Sequence, residues 1–395
     1  MVFPKNRLAY YLLLLNKYNK RENKGFEMKI IVEQKNLDRA VKQLSRVLMK
    51  KSSNPVLTMI LFSVRNEELI LRATDLVVGE EIKLSISKQK EKLNVLVPGK
   101  ALVEAVGILG QEETEISLTE EQMILKNGKD RVNLRVLPDD GFPEFKFVLS
   151  SADEMSAGLL GEIEEKISLA VSSDISRPQL TGVYFKFDGE KLSLVGTDGF
   201  RLSLLDVKNF SNQTEGSVLV PLRVLKDVFS LVETFRLSKV QVYWETEQNR
   251  MIVVTEEFLY FADLIMAPFP PYERIVPLDF MNEVKIDREE LLALLNKAQI
   301  FARDSSNVVR MKFNDQHLSV IAKGVNGQYE AELDLSTKME EFQIAFNIKY
   351  LIDFLSVLNS DEVWWGMNEN TKPVLLAEKK GASYRYVAMP FKAVD

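Results

Sequence analysis

The stretch "VPLRVLKDVFSLV", Val220 to Val232, decides how this chain is read. By itself it is the start of an amphipathic helix behind a proline, with Arg223 in its first turn. The chain says nearly the same thing at "VPGKALVEAVGIL", Val97 to Leu109, and again at "FNIKYLIDFLSVL", Phe346 to Leu358. Pro98 to Pro221 is 123 residues, and Pro221 to Asn347 is 126. A second motif keeps the step. "LILRATDLVVGEEIKL" (Leu69 to Leu84) returns as "LSLVGTDGFRLSLLDV" (Leu192 to Val207), with Asp75 and Asp198 again 123 apart. A fainter third copy is "LSVIAKGVNGQYEAELDL", Leu318 to Leu335. A third marker closes each copy: "FPEF" at Phe142, "FPPY" at Phe269 and "MPF" at Met389. Independent motifs on one period indicate three related domains; solenoid repeats are far shorter.

Each copy of the second motif reads as strand, polar turn and strand, with alternation on both sides. "KDRVNLRVL" after Asn127-Gly128 is a hairpin return, and so is "VYFKFDGEKLSLVG" at Asp188-Gly189. Within a unit the order is strand, helix, several strands, helix, several strands. The expected class is therefore α+β, with antiparallel sheets and helices segregated to one face. Pro-rich turns, "LPDDGFPEF" and "APFPPYERIVP", mark the boundaries. The expected domains are 28–150, 151–279 and 280–395. Residues 1–27 precede them and carry a short apolar run, Leu8 to Leu15, flanked by Lys and Arg. No small-residue cleavage site follows it. The expectation is an extension outside the fold, a short helix or disordered, rather than a signal peptide.

Composition narrows the chemistry. The absence of cysteine removes disulfides, thiolate metal sites and thiol nucleophiles, and fits a reducing compartment. One histidine, His317, leaves little for histidine metal sites or triads. A net charge of -6 argues against a wholly basic coat but allows a local basic surface. No segment reaches the roughly 18 apolar residues of a membrane span. There is no G-x-G-x-x-G, no Walker loop and no nucleophile elbow. Acidic runs such as "QEETE" read as solvated loops. No catalytic residue, metal or cofactor is expected.

Basic residues are patterned. In "KNLDRAVKQLSRVLMKKSSNP", Lys35, Arg39, Lys42, Arg46 and Lys50 recur at 4, 3, 4 and 4. On one helix they fall within roughly 80° of arc, opposite Leu37, Ala40, Val41, Leu44, Val47 and Leu48. Such a stripe alone reads as a solvated face. The first-turn cations Lys100, Arg223 and Lys349 add to it, because a cation there opposes the helix dipole. Three repeats of that arrangement ask for an outside reason, and phosphate contact is one. The first helix of the second copy is acidic (Glu162, Glu164, Glu165), so the basic surface is uneven.

"SRPQLTGVYFKFDGEKLSLVGTDGFRLS", "APFPPYERIVP", the terminal "YRYVAMPF" and "NPVLTMI…LRATDL" resemble the bacterial DNA polymerase III beta subunit family, from Met28 to about Phe391. The resemblance implies three like domains per subunit and two subunits joined head to tail in a closed ring, helices lining the hole and sheets outside. Heterologous contacts that close make a ring, not a fibre. It implies a processivity factor on double-stranded DNA, bound without sequence preference. Its implied partners are the replicative DNA polymerase, a clamp-loading ATPase and other proteins carrying the same binding motif. A cytoplasmic homodimer is expected, with no membrane association.

The family's partner pocket lies between the second and third domains. Carried over motif by motif, it contains Leu180; Thr197, Gly199, Phe200, Arg201 and Leu202; Pro270, Arg274 and Ile275; Asn347 and Tyr350; Pro373 and Val374; and Val387, Met389, Pro390 and Phe391. An apolar cleft with a few polar groups suits a short peptide with apolar anchors. Two departures stand out: Phe200 sits where the family often has histidine, and "KAVD" follows Phe391. The resemblance also implies a subunit joint of Ile300 and Phe301 against Val132 and Leu134, and DNA contacts at Lys50, Lys51, Lys100, Arg177, Arg223 and Lys349. The competing readings are a non-ring, three-domain binding scaffold and a DNA-modifying enzyme.

Overall fold

Met28–Glu33 alternates buried and exposed side chains, the pattern of a strand with one wet face. Similar alternation runs through the computed structural model, which describes residues 28–391 apart from 88, 90, 91, 150, 211, 212, 246, 247 and 305. The expected N-terminal extension and the "KAVD" tail lie outside the described residues. The chain divides into two compact units, the first ending at Glu144 and the second starting at Phe145.

In the first unit, α1 (Gln34–Leu44) and α2 (Gly99–Gly107) accompany two antiparallel sheets. One sheet runs Met28–Glu33, Glu113–Leu118, Gln122–Asn127, Asp130–Arg135, so Asp130–Arg135 is its edge. The strands Val78–Ser85, Glu68–Thr74, Met59–Arg65, Leu93–Pro98 and Leu137–Pro138 pair in that order. Buried Gln34 ties the parts together. Its Nε2 donates to Val106 O at 2.7 Å, and its Oε1 accepts from Thr114 Oγ1 at 2.5 Å. A buried amide satisfied at both ends fixes helix against sheet without an orphan polar group.

The basic stripe is shorter than its period suggests. α1 stops at Leu44, where Ser45 Oγ donates to Lys42 O at 2.6 Å and the backbone tightens. Arg46 and Lys50 lie beyond the helix, although Val47 stays buried.

Among the described residues, the strands of the second unit pair in three groups. Asp153–Ser156, Lys239–Glu245, Arg250–Val254 and Phe258–Asp263 pair in that order. Val308–Gly324 and Gly327–Asn347 form one long hairpin. The remaining sheet has eight strands: Gly216–Pro221, Gly182–Asp188, Lys191–Thr197, Arg201–Lys208, Tyr384–Ala388, Val374–Ala377, Glu362–Met367 and Asn282–Asp287. The central pair, Arg201–Lys208 with Tyr384–Ala388, joins the second repeat to the third.

Among the described residues, the helices of this unit are α3 (Ala157–Glu162), α4 (Leu222–Phe235), α5 (Arg288–Ala302) and α6 (Ile348–Ser356). α3 continues as a π turn, Ile163–Ile167, and then a 3-10 turn, Ser168–Ala170. The three repeated helices α2, α4 and α6 start after Pro98, Pro221 and Asn347. Proline has no side-chain acceptor to offer there, whereas Asn347 Oδ1 accepts from Lys349 N at 3.1 Å, as an N-cap should.

Candidate partner pocket and cation surface

The turn between the paired strands is built by its own side chains. Thr197 Oγ1 donates to Arg201 O at 2.6 Å and accepts from Gly199 N at 3.1 Å. Asp198 Oδ1 accepts from Phe200 N at 2.9 Å and Arg201 N at 3.0 Å. Gly199 has φ +93°, a conformation that side chains resist. The turn is therefore preset, and it holds Phe200 outward, 57% exposed.

The last strand docks on this turn. Arg201 pairs with Ala388 and Leu202 with Val387. Met389 N then donates to Phe200 O at 2.9 Å, and Phe391 N to Ala345 O at 2.8 Å. Val374 enters through its pairing with Ala388, with Pro373 just before it. Arg201 is the cross-brace. Its Nε meets Asp198 Oδ2 at 3.0 Å, its Nη1 meets Asp353 Oδ2 at 2.6 Å, and its guanidinium lies 4.6 Å from the centre of the Tyr350 ring. Burial opposes this cation, but Tyr386, Asp353 and Asp198 outweigh it and hold the pKa above the ordinary arginine value. Burial also raises the Tyr350 phenol, with Asp198 adding to it.

The "FPPYERIVP" segment is pinned to the same sheet. Tyr272 and Val276 pack with Leu202, Leu375 and Val387. Phe269 stacks on Tyr184 at 4.7 Å, and Lys186 Nζ meets Glu273 Oε1 at 2.9 Å. Pro270 is half-buried beside Phe269, while Arg274 and Ile275 are exposed in the turn after Tyr272. Leu180 is buried in the turn Pro178–Leu180. The residue before that turn, Arg177, brings Nη1 to 3.5 Å from where a Gly199 side chain would begin.

The pocket candidates thus split by burial. Leu202, Val374 and Val387 are core, while Phe200, Ile275 and Phe391 are exposed. Asp353 is absent from the sequence reading, and Asp198 enters it as a repeat marker and not as a pocket residue. Asp353 sits four residues after Lys349, but its partner is 152 residues away, which no local pattern signals.

The expected phosphate contacts are dispersed. Lys50 and Lys51 are exposed after α1, and Lys51 lines an open concavity of about 540 Å³ with Ser52, Ser53, Pro55 and Thr58. Lys100 lies 3.8 Å from Glu104, and Arg223 lies 3.6 Å from Asp227. These carboxylates one turn on offset part of the dipole penalty, so the first-turn cations need less outside compensation than the sequence suggests. Arg177 Nε meets Asp174 Oδ2 at 3.1 Å. Hydrogen bonds from Ser176, then from Arg177, hold the Asp174 carboxyl below its ordinary range. Of the expected joint residues, Val132 and Leu134 are half-buried on the edge strand Asp130–Arg135. Ile300 is 65% exposed on α5, and Phe301 stacks on Tyr329 at 6.2 Å.

Among the described residues no cluster of side chains suits a metal ion, and no helix is long and apolar enough to cross a membrane. The family models for the DNA polymerase III beta subunit match in order: the N-terminal domain over residues 28–146, the central domain over 154–271 and the C-terminal domain over 273–392. The beta sliding clamp of Synechococcus elongatus is 28% identical over 377 residues, 92% of this chain and 99% of that protein. That of Vibrio cholerae is 25% identical over 369 residues, 92% of this chain and all of that protein. The DNA polymerase III beta subunit of Thermotoga maritima superposes with a TM-score of 0.85 at 26% identity, over 93% of this chain and 100% of that one. The subunit from Pseudomonas aeruginosa shares the fold with the same score at 23% identity and the same coverage. The repeats, the sheet joint and these matches agree: the chain belongs to the DNA polymerase III beta subunit family, the beta sliding clamps.

Proposed function

We propose that two copies of this chain close head to tail into a ring around duplex DNA. The ring tethers the replicative polymerase, its loading ATPase and other proteins bearing an apolar binding peptide. Its domains are 28–150, 151–279 and 280–395. The reading is carried by an edge strand, Asp130–Arg135, that presents Val132 and Leu134 and ends its sheet. An unpaired strand edge is a template for another chain. The exposed Ile300 supplies an apolar surface for the other side. Lys50, Lys51, Lys100, Arg177, Arg223 and Lys349 touch phosphates without reading bases. The cleft between the Thr197–Leu202 turn, α6 and the last strand takes the peptide.

The ring performs no chemistry and works in the cytoplasm. Its benefit is effective concentration: tethering turns polymerase rebinding into an intramolecular event, worth roughly 10²–10⁴ without new contacts. Direct DNA affinity is weak and salt-dependent, and retention is topological. The test loads the protein onto nicked circular DNA with a loading ATPase and gel-filters it in high salt. Protein co-elutes with the circle and is lost after a single linearising cut. Equal retention on circle and line overturns the ring and favours an ordinary DNA binder; no retention on either favours the non-ring scaffold.

A further inference from the structure

The three repeated helices share a second feature. Each first-turn cation has a carboxylate four residues on: Lys100 with Glu104, Arg223 with Asp227, Lys349 with Asp353. In the first two copies cation and carboxylate face each other, at 3.8 Å and 3.6 Å. In the third copy the carboxylate goes elsewhere. Asp353 Oδ2 lies 2.6 Å from Arg201 Nη1, and no ion pair of Lys349 is found among the described residues. The two outcomes differ in strength. An exposed pair one helical turn apart is worth a factor of about two, whereas a charge-assisted bond onto a largely buried guanidinium is worth a factor of about ten or more. Arg201 is such a group, with 14% of its side chain exposed against 42% for Asp353. Besides Asp198, Tyr386 and the Tyr350 ring, Asp353 is the carboxylate that bonds it from α6.

We propose that Asp353 is a positioning residue of the partner pocket: it fixes Arg201 across the joint of the second and third repeats and thereby leaves the Lys349 cation uncompensated for phosphate. The inference rests on the pocket and DNA reading above. One carboxylate serves two surfaces: its position on α6 is set by the repeat, and its direction is set by the pocket.

Two matched variants separate this role from a general charge effect. Asp353→Asn and Glu104→Gln each remove one negative charge from the same helix position in different repeats. Both are assayed as full chains, with thermal melting as a folding check. The probes are a fluorescent peptide with Gln, Leu and Phe anchors and a fluorescent duplex titrated at several salt concentrations. Asp353→Asn lowers peptide affinity about tenfold, the loss of one charge-assisted bond. It moves the salt slope of duplex binding less than Glu104→Gln does. Glu104→Gln keeps wild-type peptide affinity and steepens that slope by up to about 0.9 for the Lys100 it releases. Asp353→Glu keeps the charge and recovers most of the peptide affinity. Wild-type peptide affinity in Asp353→Asn overturns the proposal, as do equal shifts of both readouts in the two variants or a failed rescue by Asp353→Glu. Wild-type protein that takes neither probe overturns the clamp reading itself, and the proposal with it.

Discussion

Replacing Ile300 by aspartate separates the copies of the proposed ring while leaving each copy folded. The reason is its exposure. Ile300 lies on α5 with 65% of its surface open, so a charge there stays solvated in the separate chain. Phe301 is a poorer choice. Its ring stacks on Tyr329 and lies 3.3 Å from where a Gly327 side chain would begin, so changing it disturbs the long hairpin. Burying a whole isoleucine side chain contributes about 1.5–3 kcal/mol, so covering the exposed two thirds contributes about 1–2 kcal/mol. An unpaired carboxylate in the joint costs about 3–5 kcal/mol more. The sum is about 5 kcal/mol per joint; a ring has two joints, so the dissociation constant rises by a factor on the order of 10⁷. Ile300→Ala loses the apolar part alone and weakens the dimer far less. Sedimentation velocity from micromolar to nanomolar protein reads the result, with circular dichroism as the folding check. Ile300→Asp that keeps the dimer mass across that range refutes the placement of Ile300 in the joint.

Gly196→Ala destabilises the second unit by about 1–3 kcal/mol through overpacking. Its new Cβ would stand 2.8 Å from the backbone oxygen of Ile167 and from Val171 Cγ2, and an unshifted urea midpoint would mean that the segment from Ile167 to Val171 moves aside freely. Alkali weakens the same unit. Burial pushes the Tyr272 phenol up to about 12, and burial raises Tyr384 and Tyr386 further still. Folded values above the unfolded one stabilise fully below about pH 10, and that stabilisation is lost as pH rises through the folded values. Melting temperature therefore falls above pH 10 while phenolate absorbance lags behind that of free tyrosine; three phenols titrating as free tyrosine in the folded protein contradict the burial argument.

The repeat was legible because it is written in backbone chemistry. Pro98, Pro221 and Asn347 each mark a strand-to-helix change, and all three stand at helix starts. The hairpin at Gly189 follows from a left-handed position, φ +58°. The end of α1 was not legible. Basic and apolar residues keep helical spacing past Leu44 because Val47 still packs on the core from a tightened turn. The proposed pocket rests on family resemblance and not on any local pattern. Val374, Val387 and Leu202 are buried like any core residue, and their role depends on what stands next to them. The Arg201–Asp353 bond joins two repeats, and pairing at that range leaves no periodic trace.

The turn of the proposed pocket has a counterpart elsewhere in the chain. The first unit contains the same turn: Thr74 Oγ1 donates to Val78 O at 2.7 Å, and Asp75 Oδ1 accepts from Val77 N and Val78 N at 3.0 and 2.7 Å. Leu76 there has φ +79°, where the second copy has Gly199 at +93°. A left-handed leucine costs roughly 1–2 kcal/mol, which the hydrogen bonds of the turn must offset. The turn is therefore held by structure in both copies and cannot by itself be the site. In the second copy, Met389 N also donates to Phe200 O and an arginine reaches Asp353. If the proposed pocket is built on this turn, it depends on Met389 and Asp353 from the third repeat, and the second repeat expressed alone would not bind the peptide.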